Sequence, residues 1–420
     1  MKQRRDSALR VAYMAPQIGV LSGTFVYRDI EGLRALGAEV RVFSMRRPAQ
    51  EVTSPEAEGF IRETDYLYDR GPLATLAAAA RRCARHPGRF FRVFGLALRD
   101  AARAKAPSPA ERPKLVWHFF AGCLLAEGLE AFGAHHVHCN FAHAPTTITM
   151  YAALLAGVPY SFLCHAHDIF VNGAALREKT ARAAFGMCSS GYNVRFLVEH
   201  QGCDPGKLHV MRTGVDLKRF TMRPDKPFSE PFRLLSIGRL VDKKGFDTLL
   251  EAVALLAREG RNVRATLIGG GPLEEALRGR VRNLGLGDKV ELTGPLPQET
   301  VREHFAGADA FVLACKEAKN RDMDGTPIVL IEAMSLGVPV VSTTVSGNPE
   351  LIENGVSGFL VAPEDPAALA RAVGRLMDDP ASTAAQARAA RAKIEHDFDL
   401  EGNIARLLEH IRAAQAVAGH

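Results

Sequence analysis

Short apolar runs alternate with longer helix-period segments through almost the whole chain, the pattern of parallel α/β layers. Strands are expected at Arg10–Met14, Glu39–Ser44, His135–Asn140, Tyr160–Cys164, Gly186–Ser189 and Leu208–Met211, separated by helices. After Asp216 the text turns polar and proline-rich, KRFTMRPDKPFSEP, which reads as a linker. A second series then begins, with strands at Phe232–Gly238, Val263–Ile268, Val290–Thr293, Ala310–Ala314 and Val338–Ser342. At 420 residues the chain is too long for one compact core, so the two series read as two domains. The predicted fold class is α/β: two Rossmann-like domains facing each other across a deep cleft. Ligands of such sheets bind beyond the carboxyl ends of the strands.

Hydrophobic residues at 47% and charged residues at 24% exclude wholesale disorder. No run reaches 18 uncharged apolar residues, and the start, MKQRRDSALRVAYMAP, lacks the apolar core of a secretory signal. Seven cysteines, the closest pair fifteen apart, exclude CxxC spacing and point to reduced thiols in a cytoplasm. The net charge of +6 is concentrated in residues 81–115, which hold ten Lys/Arg against two acids. The remainder is therefore slightly acidic, and a general affinity for nucleic acid is not expected. Because Phe90, Phe91, Val93, Phe94, Leu96 and Leu98 lie among those arginines, two readings stand. The segment is an amphipathic helix docking on the anionic inner face of the cytoplasmic membrane, or a surface helix packing on its own domain.

Four motifs carry chemistry. In DGTPIVLIEAMSLGVPVV (324–341), Pro327 can open a helix whose first N–H groups, at Ile328 and Val329, seat a phosphate. Glu332 follows five residues later, roughly 7.5 Å along the axis, a separation comparable to that from a diphosphate to a ribose. Asp324 can accept hydroxyls of a sugar on the other side of the phosphate. In IGRLVDKKGFDTLLEA (237–252), Arg239 and Lys244 can offset charge growing on a departing diphosphate, while Asp242 and Lys243 are expected to face solvent. LIGGGPLEEAL (267–277) is a strand–turn–helix that brings backbone near a ligand or merely turns tightly. In YSFLCHAHDIF (160–170), His165 is expected at the site, with Asp168 orienting it or meeting an acceptor hydroxyl. Six of fourteen histidines fall between 135 and 167, but no carboxylate-rich shell completes a metal site, so no metal is expected. Asp322, in the DMD at 322–324, is expected to face solvent.

These pieces in this order resemble glycosyltransferase family 4, the retaining nucleotide-sugar transferases of GT-B fold, over nearly the whole chain. GVLSGTFVYRDIEGLRALGAEVRVFSMRR resembles the family's opening, LHVMRTGVDLKRF the end of its first domain, and GRLVDKKG, GGGP and EAMSLGVPVVST its donor-binding half. HVHCNF, CHAHDIF and RDMDGTPIVLIEAM are most similar to the bacterial exopolysaccharide branch, colanic-acid-type enzymes included. The resemblance implies an acceptor-binding domain over 1–216, a linker at 217–231, a nucleotide-sugar domain over 232–395, and a last segment, 396–420, whose helix returns to the first domain.

It also implies roles. Arg239 and Lys244 would bind the donor diphosphate, Glu332 the ribose and Asp324 the transferred sugar. The backbone from Gly325 through Thr326 and Pro327 to Ile328 and Val329 would line sugar and phosphate. Gly23 and Gly270 would approach the donor, Pro295 and Leu296 would meet the base, and His165 would stand near the anomeric carbon. The implied reaction moves a hexose, with retention and without metal or other cofactor, from a UDP- or GDP-linked sugar to a hydroxyl of a saccharide, lipid-linked in this branch. One departure is Asp324, where the family pattern has glutamate. It motivates the alternative of a catalytically silent nucleotide-sugar-binding protein; a phosphorylase or isomerase on the same scaffold is a further alternative.

Overall fold

A computed structural model describes residues 8–18, 24–48, 55–224 and 226–418. The chain divides into two compact units. One comprises Met1–Ser189, Asn193–Met211 and Glu401–His420; the other comprises Ser190–Tyr192 and Arg212–Leu400.

The first unit is built on seven parallel strands: β1 (Arg10–Gln17), β2 (Glu39–Arg46), β3 (Asp65–Tyr66), β4 (His136–Asn140), β5 (Tyr160–Cys164), β6 (Phe185–Cys188) and β7 (Leu208–Val210). Their order is β3-β2-β1-β4-β5-β6-β7, so the chain reverses its direction of growth between β1 and β4. Every residue of β4 and β5 is buried, as expected of central strands covered on both faces. The helix Ala144–Ala156 follows β4 and packs in the same core beside the helix Arg112–Phe132. By length and composition, the segment Pro109–Phe132 is apolar enough to cross a membrane. That is closer than the sequence criterion suggested, yet Leu115, Phe119, Leu124, Leu125 and Leu129 are spent on the core of this unit.

Residues 81–115 do not form one helix. They end the helix Gly71–Arg85, form the helix Pro87–Arg103 and begin Arg112–Phe132. Phe90, Val93 and Ala97 are buried, with Phe90 and Phe94 packed against Phe119, whereas Phe91 and Leu98 stay exposed. The last helix, Leu400–Ala418, packs Ile404 against Gly32; a β-carbon there would meet Ile404 Cδ1 at 2.2 Å.

The second unit holds six parallel strands: β8 (Phe232–Ile237), β9 (Val263–Ile268), β10 (Val290–Gly294), β11 (Ala310–Leu313), β12 (Val340–Thr343) and β13 (Phe359–Val361). Their order, β10-β9-β8-β11-β12-β13, repeats the first unit's plan and puts the reversal between β8 and β11. One face is covered by the helices Phe246–Arg258 and Pro366–Asp378, whose Leu249, Val253, Leu369 and Val373 join the core cluster. Both units are thus parallel Rossmann-like α/β halves. The short strands β3 and β13 were not expected; at two and three residues they carry too little periodicity to read.

Candidate active site

At the reversal of the second sheet, the carboxyl ends of β8 and β11 open onto the segments Gly238–Gly245 and Cys315–Pro327. Gly245 adopts φ 63° against β11's end, and a β-carbon on it would lie 1.8 Å from the Ala314 carbonyl oxygen. Gly269 does the same against Gly238, at 2.0 Å. Only glycine allows these two loops to close on the strand ends.

The closure places Lys244 Nζ 2.6 Å from Asp324 Oδ2 and Lys243 Nζ 3.4 Å from Asp324 Oδ1. Lys243 also pairs with Asp322 at 3.0 Å. Neither Lys243 nor Asp322 faces solvent as expected: their side chains are 18% and 16% exposed. The physical reason is mutual. Each supplies the charge that lets the other leave water. Asp242, also expected in solvent, is half-buried and pairs with Lys316 at 3.0 Å, which holds its carboxyl below the usual range. Burial alone lowers the Lys244 pKa, but Asp324 more than offsets this, so the ammonium is held charged. Beneath them Cys315 Sγ lies 3.8 Å from Asp324 Oδ2, its thiol pushed up to about 12 by burial.

Pro327 caps the helix Ile328–Ser335, whose first N–H groups, at Ile328 and Val329, have no earlier turn to bond to. Glu332 is half-buried farther along that helix. The Gly325 carbonyl accepts the Gly347 N–H at 2.9 Å, and an added β-carbon on Gly347 would lie 2.7 Å from Thr326 Oγ1. The turn after β12, with Ser346 at φ 52°, therefore walls Gly325 and Thr326; it was not foreseen. Leu240 N–H bonds to the Gly270 carbonyl at 3.0 Å, and Pro295 Cδ would lie 3.5 Å from a β-carbon on Gly270. So Arg239, Gly270 and Pro295 lie on neighbouring segments; Arg239 and Pro295 are exposed and Leu296 is half-buried. A cavity of about 430 Å³ lined by Arg233, Arg264, Glu291 and His304 lies at the amino ends of the strands, the end such sheets do not use for ligands.

In the first unit the corresponding sheet end carries His165. It precedes the short helix Ala166–Phe170 in a capping-box arrangement: the Asp168 N–H donates to the His165 carbonyl at 3.1 Å, and Asp168 accepts the His165 N–H at 3.0 Å. Asp168 also accepts the Ala142 N–H at 2.8 Å and is 1% exposed. Oδ2 takes both backbone donors, so Asp168 is turned inward and braces the backbone of His165. Lys179, fully buried, donates to the carbonyls of Ala142 and His143 at 2.7 and 3.0 Å. Burial pulls its pKa down to about 7. His136 and His138 both meet Ser161 Oγ, at 2.7 and 2.8 Å, and are sealed in the sheet. Gly23 lies outside the described residues.

Two parallel Rossmann-like halves, the second with a cationic loop and a helix start at its reversal point, define a glycosyltransferase of GT-B type. The glycosyltransferase family 4 model matches residues 22–219, and the group 1 glycosyl transferases model matches 218–393. The chain belongs to this family of glycosyltransferases. The amylovoran biosynthesis glycosyltransferase AmsK of Erwinia amylovora is 39% identical over 198 residues, 47% of this chain and about half (49%) of its own length. WcaL of Salmonella typhimurium, named for colanic acid biosynthesis, is 28% identical over 96% of this chain and 100% of its own. Anabaena HepE, solved with UDP, superposes with a TM-score of 0.70 at 18% identity, covering 96% of this chain and 100% of that one.

Proposed function

We propose that the protein is a retaining hexosyltransferase that uses a nucleotide-diphosphate sugar, UDP- or GDP-linked, in exopolysaccharide assembly. Its acceptor is a hydroxyl of a lipid-linked saccharide. The observation that carries this is the lysine–aspartate cluster at the β8/β11 reversal, beside the start of the helix that bears Glu332. Two relatives named for exopolysaccharide synthesis and a fold neighbour holding UDP support it.

When the donor binds, Lys244 exchanges the Asp324 carboxylate for the diphosphate, assisted by Arg239 and the N–H groups of Ile328 and Val329. Asp324, released, takes hydroxyls of the transferred sugar, Glu332 takes the ribose, and His165 meets the sugar near its anomeric carbon. The bond from the anomeric carbon to the diphosphate breaks as the bond to the acceptor oxygen forms on the same face. The departing diphosphate oxygen takes the acceptor's proton. Fixed cations supply the charge stabilisation, so turnover proceeds without added divalent metal. Phe91 and Leu98, exposed on one helix and flanked by Arg92 and Arg99, suit docking on the anionic inner face of the cytoplasmic membrane.

Purified protein incubated with radiolabelled UDP- and GDP-sugars and a lipid extract tests the reading. Label entering the lipid fraction, with chelator present, supports it. Donor binding without turnover, persisting in Asp324→Glu, would establish a silent binder instead. Replacing Arg85, Arg92, Arg99 and Arg103 with glutamine should release the protein from anionic liposomes; unchanged co-sedimentation would refute membrane docking.

A further inference from the structure

A continuous buried chain of hydrogen bonds runs from the end of β5 to the first helix of the chain. His165 Nε2 lies 2.8 Å from Asn140 Oδ1, Asn140 Nδ2 lies 2.9 Å from the Tyr13 hydroxyl, and that hydroxyl lies 2.9 Å from Asp29 Oδ2. Asn140 and Tyr13 are wholly buried and Asp29 is 7% exposed, so water does not compete for these bonds. Direction follows from chemistry. Burial raises Asp29 to about 7, so at pH 8 it is mainly ionised and only accepts; Tyr13 then donates to it, and the Tyr13 oxygen is left to accept from the Asn140 amide. That orientation turns the Asn140 oxygen toward His165, whose Nε2 must then carry a proton. The other ring nitrogen, Nδ1, faces the start of the helix Ala166–Phe170 in the capping-box arrangement, where it can only accept once Nε2 holds the proton of the neutral ring.

The loop holding Asn140 is braced from several sides. Phe141 is held at φ 76°, unusual for a bulky residue, with its ring 4.7 Å from the His165 ring. Its carbonyl accepts from Thr146, Asp168 holds the Ala142 N–H, and Lys179 holds the carbonyls of Ala142 and His143. Strain of this kind persists only where surrounding contacts over-determine it.

We propose that Asp29, Tyr13 and Asn140 are positioning residues that lock His165 as the neutral Nε2–H imidazole, so that it presents a fixed, uncharged ring to the transferred sugar and does not shuttle protons. The sugar-facing half rests on the transferase reading above; the lock itself does not. Both ring nitrogens face protein, Nε2 the Asn140 oxygen and Nδ1 the start of the following helix. Proton transfer therefore falls to the departing diphosphate, as the proposed chemistry requires.

The test is nitrogen NMR of the full chain with ¹⁵N-labelled histidine at pH 8, with the His165 signals assigned by their loss in His165→Gln. The expected spectrum shows the Nε2–H tautomer alone, its ring proton exchanging slowly with water. A charged ring, an Nδ1–H tautomer or a mixture overturns the proposal. Tyr13→Phe removes one oxygen and lets the Asn140 amide turn. It should speed exchange of the His165 ring proton at least tenfold and cut kcat about tenfold, with donor KM within twofold. Asp29→Asn, milder because an amide can run the chain in either direction, should shift exchange the same way by about threefold. It carries the test if Tyr13→Phe does not fold. Unchanged exchange in folded variants refutes the chain. Because exchange needs no turnover, an inactive protein showing the locked tautomer would refute the transferase reading and leave the lock standing.

Discussion

The two sheet ends use opposite materials. That of the second unit is ionic: Lys243, Lys244 and Lys316 against Asp242, Asp247, Asp322 and Asp324. That of the first is built mainly of imidazoles, amide, phenol and backbone groups, largely buried, with Lys179 and Asp168 each bonded to backbone. The difference teaches which task each end suits. A diphosphate brings charge and calls for cations that can exchange partners. A sugar ring brings only hydroxyls and a reacting carbon, and calls for groups that stay where they are.

The largest effect that separates the two ends is acid sensitivity. Burial lowers His118, His136, His138 and His143 to about 3 and His165 to about 4, all in the first unit. Between pH 4 and 6.5 the unfolded chain binds protons at these five sites and the folded one does not, so folding weakens as pH falls. Asp29 and Asp168, raised by burial to about 7 and about 6, act in the opposite sense because the folded form holds their protons. The net of about three protons gives at most roughly 4 kcal/mol lost per pH unit in that window. In the second unit the resolved carboxylate shifts are downward, at Asp242, Asp378 and Asp397, so its loss comes only as pH falls below their ordinary range. Trp117, the sole tryptophan, lies in the first unit and reports on it alone. Its fluorescence in urea should show an unfolding midpoint that drops from pH 6.5 to 4.5, ahead of proteolytic nicking of the second unit. A flat midpoint would break the comparison.

Next comes Lys244→Ala. Losing the cation proposed to offset charge on the leaving diphosphate should cost on the order of 2–4 kcal/mol of transition-state stabilisation, read as about a 30- to 1,000-fold fall in kcat/KM. Gly245→Ala should follow, since the left-handed backbone and the collision with Ala314 destabilise the second unit by about 1–3 kcal/mol, visible in its thermal midpoint. Smallest is Lys243→Ala. It leaves Asp322 and Asp324 short of one partner, and a loss of about 1 kcal/mol in stability is expected. An unchanged midpoint in Lys243→Ala would show that this pair is merely incidental to the fold.

Much of the architecture was legible beforehand. Eleven strands could be read because buried parallel strands are near-continuous apolar runs, as in YSFLC and AFVL. The motif around Asp324 and Lys244 was legible because glycine, proline and charge recur there at spacings with few other uses. Lys243 and Asp322 were misjudged, and the inward turn of Asp168 was not readable, for one reason: a polar residue's exposure depends on partners distant in sequence. Asp322 meets Lys243 across 79 residues, and Asp168 meets Ala142 across 26. The amphipathic pattern of 81–115 likewise could not say which apolar residues would find Phe119 and which would stay outside.

Local order was sufficient to determine the alternating α/β series, the two-part plan and the glycine-rich, charged character of the loops at the second sheet's reversal, since period, turn residues and caps act over a few residues. Only tertiary structure decided which charges neutralise one another. It alone joined Asp29, Tyr13, Asn140 and His165 into one line, because hydrogen bonds across 16, 127 and 25 residues exist only after β1, β4 and β5 lie side by side.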